Sequence, residues 1–122
     1  MLYLWGASPA LRVERVRFTH GNLLIAIGEI DLATVSVLEA NLHDLPYTGD
    51  VLIDLAEVSF LGAAGLRVLL ARARDSRAHG QTFAICALRP QLHRLLARLD
   101  LLAELVAPEA RRPFYEAVPN AN

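Results

Sequence analysis

The chain has 122 residues, 54% of them hydrophobic, which is enough for one globular domain with one core and too little for a second. Twelve basic residues against 13 acidic ones leave a formal net charge of -1. This balance argues against nucleic acid as a partner, because such binding rests on an excess of positive charge.

Cysteine usage and hydropathy both indicate a cytoplasmic protein. The single cysteine, Cys86, cannot form an internal disulfide and lies in an apolar run, where we expect a buried, unreactive thiol. No apolar stretch reaches the roughly 18 residues of a membrane span, and the N-terminus lacks the basic and hydrophobic blocks of an export signal. We therefore expect cytoplasmic residence without insertion into a membrane.

The first part of the chain predicts a hairpin followed by a helix. Residues 1–10 have no sustained period and are predicted as an arm. Near-alternation predicts a strand over Leu11–Phe18, with one slip that we interpret as a bulge, and a turn then leads to a second strand over Asn22–Gly28. Residues at helical spacing next predict a helix that ends at Pro46: Val35, Leu38, Leu42 and Leu45.

The middle of the chain predicts a short buried strand and a strongly amphipathic helix. The strand covers Val51–Leu55 and contains Asp54. The helix is entered through Ser59–Leu66, where we expect Phe60 to be buried, and it ends at Gly80. Its predicted inner face consists of Leu66, Leu69, Leu70 and Ala73.

The last third predicts one more strand and helix before a weaker C-terminal pattern. The strand covers Gln81–Leu88, and Pro90 suits the first turn of the following helix. That helix has predicted inner residues Leu92, Leu95, Leu96 and Leu99, and a solvated side with Arg89, Arg94 and Arg98. A short edge strand over Leu101–Val106, a final helix over Pro108–Val118 and a polar tail at 119–122 complete the prediction.

Helices that recur between apolar strands indicate crossover connections and therefore a largely parallel sheet. We expect an α/β fold over residues 11–118, with a mixed, mostly parallel sheet, an N-terminal antiparallel hairpin and about four helices. The edge strand Leu11–Phe18 is a candidate for pairing with a second copy, which makes a homodimer one open possibility.

The residues that usually carry catalysis or bind metals occur in no typical pattern. The four histidines have no close spacing and none pairs with cysteine, no serine lies in a nucleophile-elbow pattern, and the chain has no lysine for a phosphate-binding loop. We expect no enzymatic activity, cofactor or metal. A small nucleotide-binding protein that uses the helix start at Gly62 stays an alternative, because free backbone amides attract anions.

Two segments carry the most informative pattern, the turn Gly28-Glu29-Ile30-Asp31 and the block Val51–Leu70, VLIDLAEVSFLGAAGLRVLL. Together they resemble anti-sigma factor antagonists of the sulphate-transporter and anti-sigma-antagonist (STAS) fold. In that family, a strand with a central aspartate precedes F-φ-D-S-S-G-L at the start of the second helix, and a G-E-φ-D turn lies nearby. Here the matching positions are Asp54, Phe60, Gly65, Leu66 and the intact turn.

The resemblance implies a protein-binding module that takes part in partner switching. Family members bind an anti-sigma factor, often a serine kinase with a GHKL-type ATP site, and so release the sigma factor. The kinase turns the antagonist off by phosphorylating the first serine of the block. On this resemblance we expect a contact surface made of Gly28, Glu29, Asp31, Gly62, Ala63, Ala64, Gly65 and Arg67.

This chain departs from the family pattern where the switch would act. Gly62, Ala63 and Ala64 replace Asp, Ser and Ser, so Ala63 occupies the phosphoserine position and has no hydroxyl to accept a phosphoryl group. We expect a module that cannot be switched off at this position.

Other interpretations stay open at this point. Regulation by phosphorylation can lie instead at Ser59, Thr34 or Ser36, although the two latter residues are also suited to capping a helix, as is the carboxylate of Asp31. The glycines of the block can serve packing alone. The chain can also be a soluble STAS subunit of a transporter ATPase complex or of a multi-protein stress-signalling scaffold.

Overall fold

The computed structural model describes residues 10–106, which begin with two strands and continue with helices that separate the later strands. The elements in chain order are β1 (Leu11–Phe18), β2 (Gly21–Ile30), α1 (Val35–His43), β3 (Asp50–Leu61), α2 (Ala63–Ala78), β4 (Phe83–Leu88), α3 (Pro90–Arg98) and α4 (Leu102–Leu105). This architecture confirms the predicted α/β fold with an N-terminal hairpin.

The sheet has the strand order β1-β2-β3-β4. β1 is antiparallel to β2, whereas β2, β3 and β4 are parallel to one another. Each parallel step needs a crossover, which α1 provides between β2 and β3 and α2 provides between β3 and β4. The carboxyl ends of β2 and β3 therefore lie side by side, with Glu29 opposite Phe60 and Ile30 opposite Leu61.

The helices pack on one face of the sheet, where the main core lies. Leu38 of α1, Leu69 of α2 and Leu96 of α3 join Ile53 and Ile85 of the central strands in one buried cluster. The second buried cluster contains strand residues only, in the part of the chain that the structure describes: Phe18, Leu23, Leu52, Ala84 and Cys86. Cys86 is thus buried, as its apolar context predicts.

A buried arginine fixes the loop that follows α1. Arg72 lies on the inner side of α2 and is only 7% exposed. Its guanidinium donates hydrogen bonds to Leu42 O, Pro46 O, Ser76 Oγ and Gln81 Oε1, and it packs 4.4 Å from the ring centroid of Tyr47. Burial lowers the pKa of Arg72, and electrostatic interactions with Tyr47 and Asp75 partly oppose this shift. The hydrogen bonds compensate the cost of burying this charge.

The structure corrects the predicted lengths of two segments. β3 continues beyond Leu55 to Leu61, because Val58 and Leu61 remain buried and pair with β2. Leu101–Val106 is not an edge strand: it forms the short helix α4, and only Val106 makes a single parallel bridge, to Ile85. This helix buries Leu105 in the main core, which satisfies the apolar pattern without a fifth strand.

Two further predictions are wrong, a bulge in β1 and an inward-facing Leu99. The pairing of β1 with β2 is continuous from Leu11 to Phe18, so the slip in alternation is not a bulge. Instead, the register shifts lie between β2 and β3 and between β3 and β4. Leu99, predicted to face inward, follows the last residue of α3 and is 49% exposed.

The predicted arm up to residue 9, the last helix over Pro108–Val118 and the tail at 119–122 lie outside the described residues. No helix between residues 10 and 106 has both the length and the apolar character that crossing a membrane requires.

Candidate functional site

The turn Gly28-Glu29-Ile30-Asp31 begins with a glycine that the backbone requires. Gly28 has φ = 123°, and a side chain there would overlap the carbonyl group of Ala10. The N–H of Glu29 donates to that same carbonyl oxygen at 2.8 Å. The close approach that Gly28 allows and the hydrogen bond from Glu29 therefore join the end of β2 to the residue before β1. The side chain of Glu29 is exposed.

Asp31 and Thr34 stabilise each other in the turn that leads to α1. Asp31 Oδ1 accepts hydrogen bonds from the N–H groups of Ala33 (2.9 Å) and Thr34 (3.0 Å). Thr34 Oγ1 accepts from the N–H of Asp31 (2.9 Å) and donates to Glu29 O (2.8 Å). The expected carboxylate–amide bond is present, but the N-cap position belongs to Thr34, since α1 begins at Val35.

The start of α2 is joined to the end of β2. The N–H of Gly62 donates to Ile30 O at 2.8 Å, and the extended conformation of Gly62 (φ -87°, ψ 176°) leads directly into the helix. Ala63, the first helical residue, is exposed, and Ala64 is half-buried. Ala63 thus presents a methyl group to solvent at the position where the resemblance places a phosphorylated serine.

Gly65 lies beneath the surface that we predicted it would line. It is buried, and a Cβ atom added there would lie 2.9 Å from Leu61 Cδ1 and still closer to Ile30 Cγ2. Its absent side chain lets α2 approach β2 and β3 closely. For this glycine the structure supports the packing interpretation.

Sequence reasoning missed two large apolar side chains beside this site. Leu32 is 83% exposed, and Phe60, which we predicted to be buried, is 51% exposed. β3 has one more residue than β2 between the pairs Gly28–Val58 and Glu29–Phe60, and this register shift turns Phe60 outward while Leu61 stays in the core. The break in alternation after Val58 is the signal that could have indicated it.

The exposed and half-buried residues at this end of the sheet form one surface, which we call the edge patch: Glu29, Asp31, Leu32, Phe60, Gly62, Ala63 and Arg67. It combines two apolar side chains with carboxylates from the β2 side and an arginine from α2. The ion pairs found between residues 10 and 106 join Arg74 and Arg77 to Glu104. Glu29 and Arg67 belong to neither, so their charges stay available to a partner.

The three alternative hydroxyls differ in accessibility. Thr34 is 3% exposed, and its hydroxyl already donates to Glu29 O, so a kinase would have to open the turn to reach it. Ser36 and Ser59 are exposed; Ser59 Oγ lies 3.4 Å from Gly28 O. Of the three predicted positions, only these two are open to modification in the folded domain.

The edge patch brings together apolar and charged side chains. Within residues 10–106 no group of three or more His, Cys, Asp or Glu side chains could hold a metal ion. Asp54 lies within β3, where its carboxylate accepts the N–H of Ala56 at 2.9 Å. What the edge patch offers is apolar area flanked by charges of both signs, which suits recognition of another protein.

The family model of the STAS domain matches residues 15–121 of the chain. The chain belongs to the STAS domain family. The search of curated protein sequences found no match to the chain. This STAS domain is similar in structure to an anti-sigma factor antagonist from Mycobacterium paratuberculosis, with 25% sequence identity and a TM-score of 0.69 over 81% of this chain and 86% of that one.

A second solved relative, SpoIIAA, is similar to this STAS domain in two states. The unphosphorylated anti-sigma factor antagonist has 19% identity and a TM-score of 0.63, over 89% of this chain and 99% of the other. The phosphorylated form of the Bacillus protein has 17% identity and a TM-score of 0.58, over 80% and 89% of the two chains. At these identities the likeness to SpoIIAA concerns the fold.

Proposed function

We propose that the protein is an anti-sigma factor antagonist-like module, which binds an anti-sigma factor or a GHKL-type serine kinase through the edge patch. The observation that carries the proposal is the exposure of Leu32 and Phe60 beside the start of α2 in a STAS fold. Large apolar side chains that stay exposed next to charged groups are typical of protein-binding sites. The similarity to a mycobacterial anti-sigma factor antagonist supports the choice of partner class.

The proposed module has no phosphoserine switch at the start of α2. A phosphoryl group would add about -1.5 to -2 charges at pH 7, and next to Phe60 that charge would disrupt an apolar contact. Ala63 cannot carry it, so binding continues in the presence of kinase and ATP. The protein acts as a constitutive member of its partner-switching pathway, without enzymatic activity of its own, and we place this role in the cytoplasm.

The test compares two substitutions of the same kind, one in the edge patch and one outside it. Phe60→Arg changes the edge patch, whereas Leu99→Arg changes an equally exposed apolar side chain at the end of α3, which runs back from that edge. Tagged wild type and both variants, first checked for folding by circular dichroism and thermal melting, are used to capture proteins from the source cytoplasm for identification by mass spectrometry.

We expect wild type and Leu99→Arg to retain an anti-sigma factor or GHKL-type kinase and Phe60→Arg to lose it. Retention by all three proteins would refute the edge patch as the binding surface. Capture of a transporter ATPase or of a stress-signalling scaffold in place of the kinase would replace the proposed partner class.

A further inference from the structure

The end of the sheet opposite the edge patch contains an open cleft of about 400 Å³. It lies between the β1–β2 turn and the loop that follows α1, and its polar lining includes Arg15, Arg17, His20, Asn22 and Thr48. β2 is 10 residues long, so the cleft and the edge patch are separated by roughly 30 Å of strand. A ligand in the cleft leaves the edge patch free.

The charge of the cleft is positive. Arg15 and Arg17 stand two positions apart on β1 and so share one face of the strand, and the lining contains no carboxylate side chain. Neither arginine takes part in the ion pairs found between residues 10 and 106. Two guanidinium groups without acidic partners among residues 10–106 favour a ligand with several negatively charged oxygens.

One wall of the cleft orients an arginine. Asn22 is 6% exposed, and its Oδ1 accepts a hydrogen bond from Arg15 Nε at 2.9 Å. This bond uses the Nε donor and leaves the two terminal nitrogens of the guanidinium for a ligand. An arginine held in this way loses less side-chain entropy on binding than a free one.

The opposite wall is the loop that follows α1, and hydrogen bonds from buried side chains stabilise it. Pro46 O accepts hydrogen bonds from Gln81 Nε2 at 2.9 Å and from Arg72 Nη2 at 3.3 Å. Gly49, at φ = 74°, lets the loop turn back, and the N–H of Asp50 then donates to His20 O at 2.8 Å, which joins the two walls. The cleft is therefore largely formed before any ligand arrives.

We propose that this cleft binds a small organic phosphate, with Arg15 and Arg17 contacting the phosphoryl oxygens. Its volume is in the range of small-molecule sites and exceeds what inorganic phosphate alone would fill. Pro46, which is exposed, adds apolar surface for the organic part of the ligand. The site is independent of the proposed partner binding, because it shares no residue with the edge patch.

The test uses nitrogen-15 NMR titrations of the full chain with adenosine monophosphate and, separately, with citrate as an anion without phosphate. Two double variants with the same loss of charge are compared with wild type. Arg15→Gln with Arg17→Gln changes the cleft, and Arg12→Gln with Arg94→Gln removes two exposed arginines elsewhere. The spectra without ligand show whether each variant is folded.

We expect saturable shifts of the Thr19–Asn22 and Thr48–Gly49 amides with the nucleotide, weakened roughly tenfold or more in the cleft variant and unchanged in the control variant. Shifts that do not saturate, or that weaken equally in both variants, would overturn the site. Equal binding of citrate would overturn the assignment to phosphates.

Discussion

Replacement of Gly65 by alanine tests whether α2 is packed as closely on the sheet as the structure shows. The new Cβ atom would lie 2.9 Å from Leu61 Cδ1 and closer still to Cγ2 of Ile30, a fully buried residue whose β-branched side chain has little freedom to move. Overpacking of this kind costs about 1–3 kcal/mol, and the better helix propensity of alanine returns at most about 1 kcal/mol. We expect a net loss of about 1–2 kcal/mol in the free energy of unfolding.

Urea unfolding followed by far-ultraviolet circular dichroism measures this loss, and its midpoint should fall by roughly 0.5–1 M. Ile30→Ala removes the overlapping methyl group, so the double variant should show a favourable coupling of about 1 kcal/mol or more. If Gly65→Ala is as stable as wild type, or more stable, helix propensity dominates and the close approach of α2 is refuted.

The remaining predictions concern the turn, the buried arginine and the missing switch. Gly28→Ala should lower the free energy of unfolding by more than about 2 kcal/mol in the same urea assay, because φ = 123° and the Ala10 carbonyl both exclude a side chain; an unchanged midpoint would contradict this. Arg72→Met should cost about 2–4 kcal/mol, because Leu42 O and Gln81 Oε1 each lose the charged one of their two donors and keep only Leu45 N–H and Ser76 Oγ. Arg74→Met, at an exposed ion pair, should cost under about 1 kcal/mol; similar losses would refute the structural role of Arg72. Ala63→Ser should gain one phosphoryl group in intact mass after incubation with a captured GHKL-type kinase and ATP, and wild type none; phosphorylation of wild type would point to Ser36 or Ser59.

The order of the elements could be predicted because each has a hydrophobic period of its own. The changes between strand and helix periods indicate the crossovers that make the sheet parallel. The strand predicted over Leu101–Val106 is wrong because this segment is too short to show a period. A short apolar run fits a strand and one helical turn equally well. Only its packing in the core distinguishes the two.

The surface of the candidate site depends on contacts that local patterns do not contain. Phe60 faces outward because of a register shift between β3 and β2, two strands that are distant in sequence. Gly65 is buried because Ile30 lies against it. Arg72 finds its acceptors in the last turn of α1, in the loop after it and at Gln81. Sequence motifs located the edge patch, but only the structure separates the residues that a partner can touch from those that hold the turn together.

The most direct test of the proposed function is displacement of a sigma factor. The protein is added to a complex of a sigma factor with its anti-sigma factor from the same source, and free sigma factor is measured by size-exclusion chromatography. Wild type should release the sigma factor in a saturable manner, with or without ATP, and Phe60→Arg should fail to do so at the same concentrations. If wild type releases none when the anti-sigma factor captured with it is used, the antagonist function is contradicted.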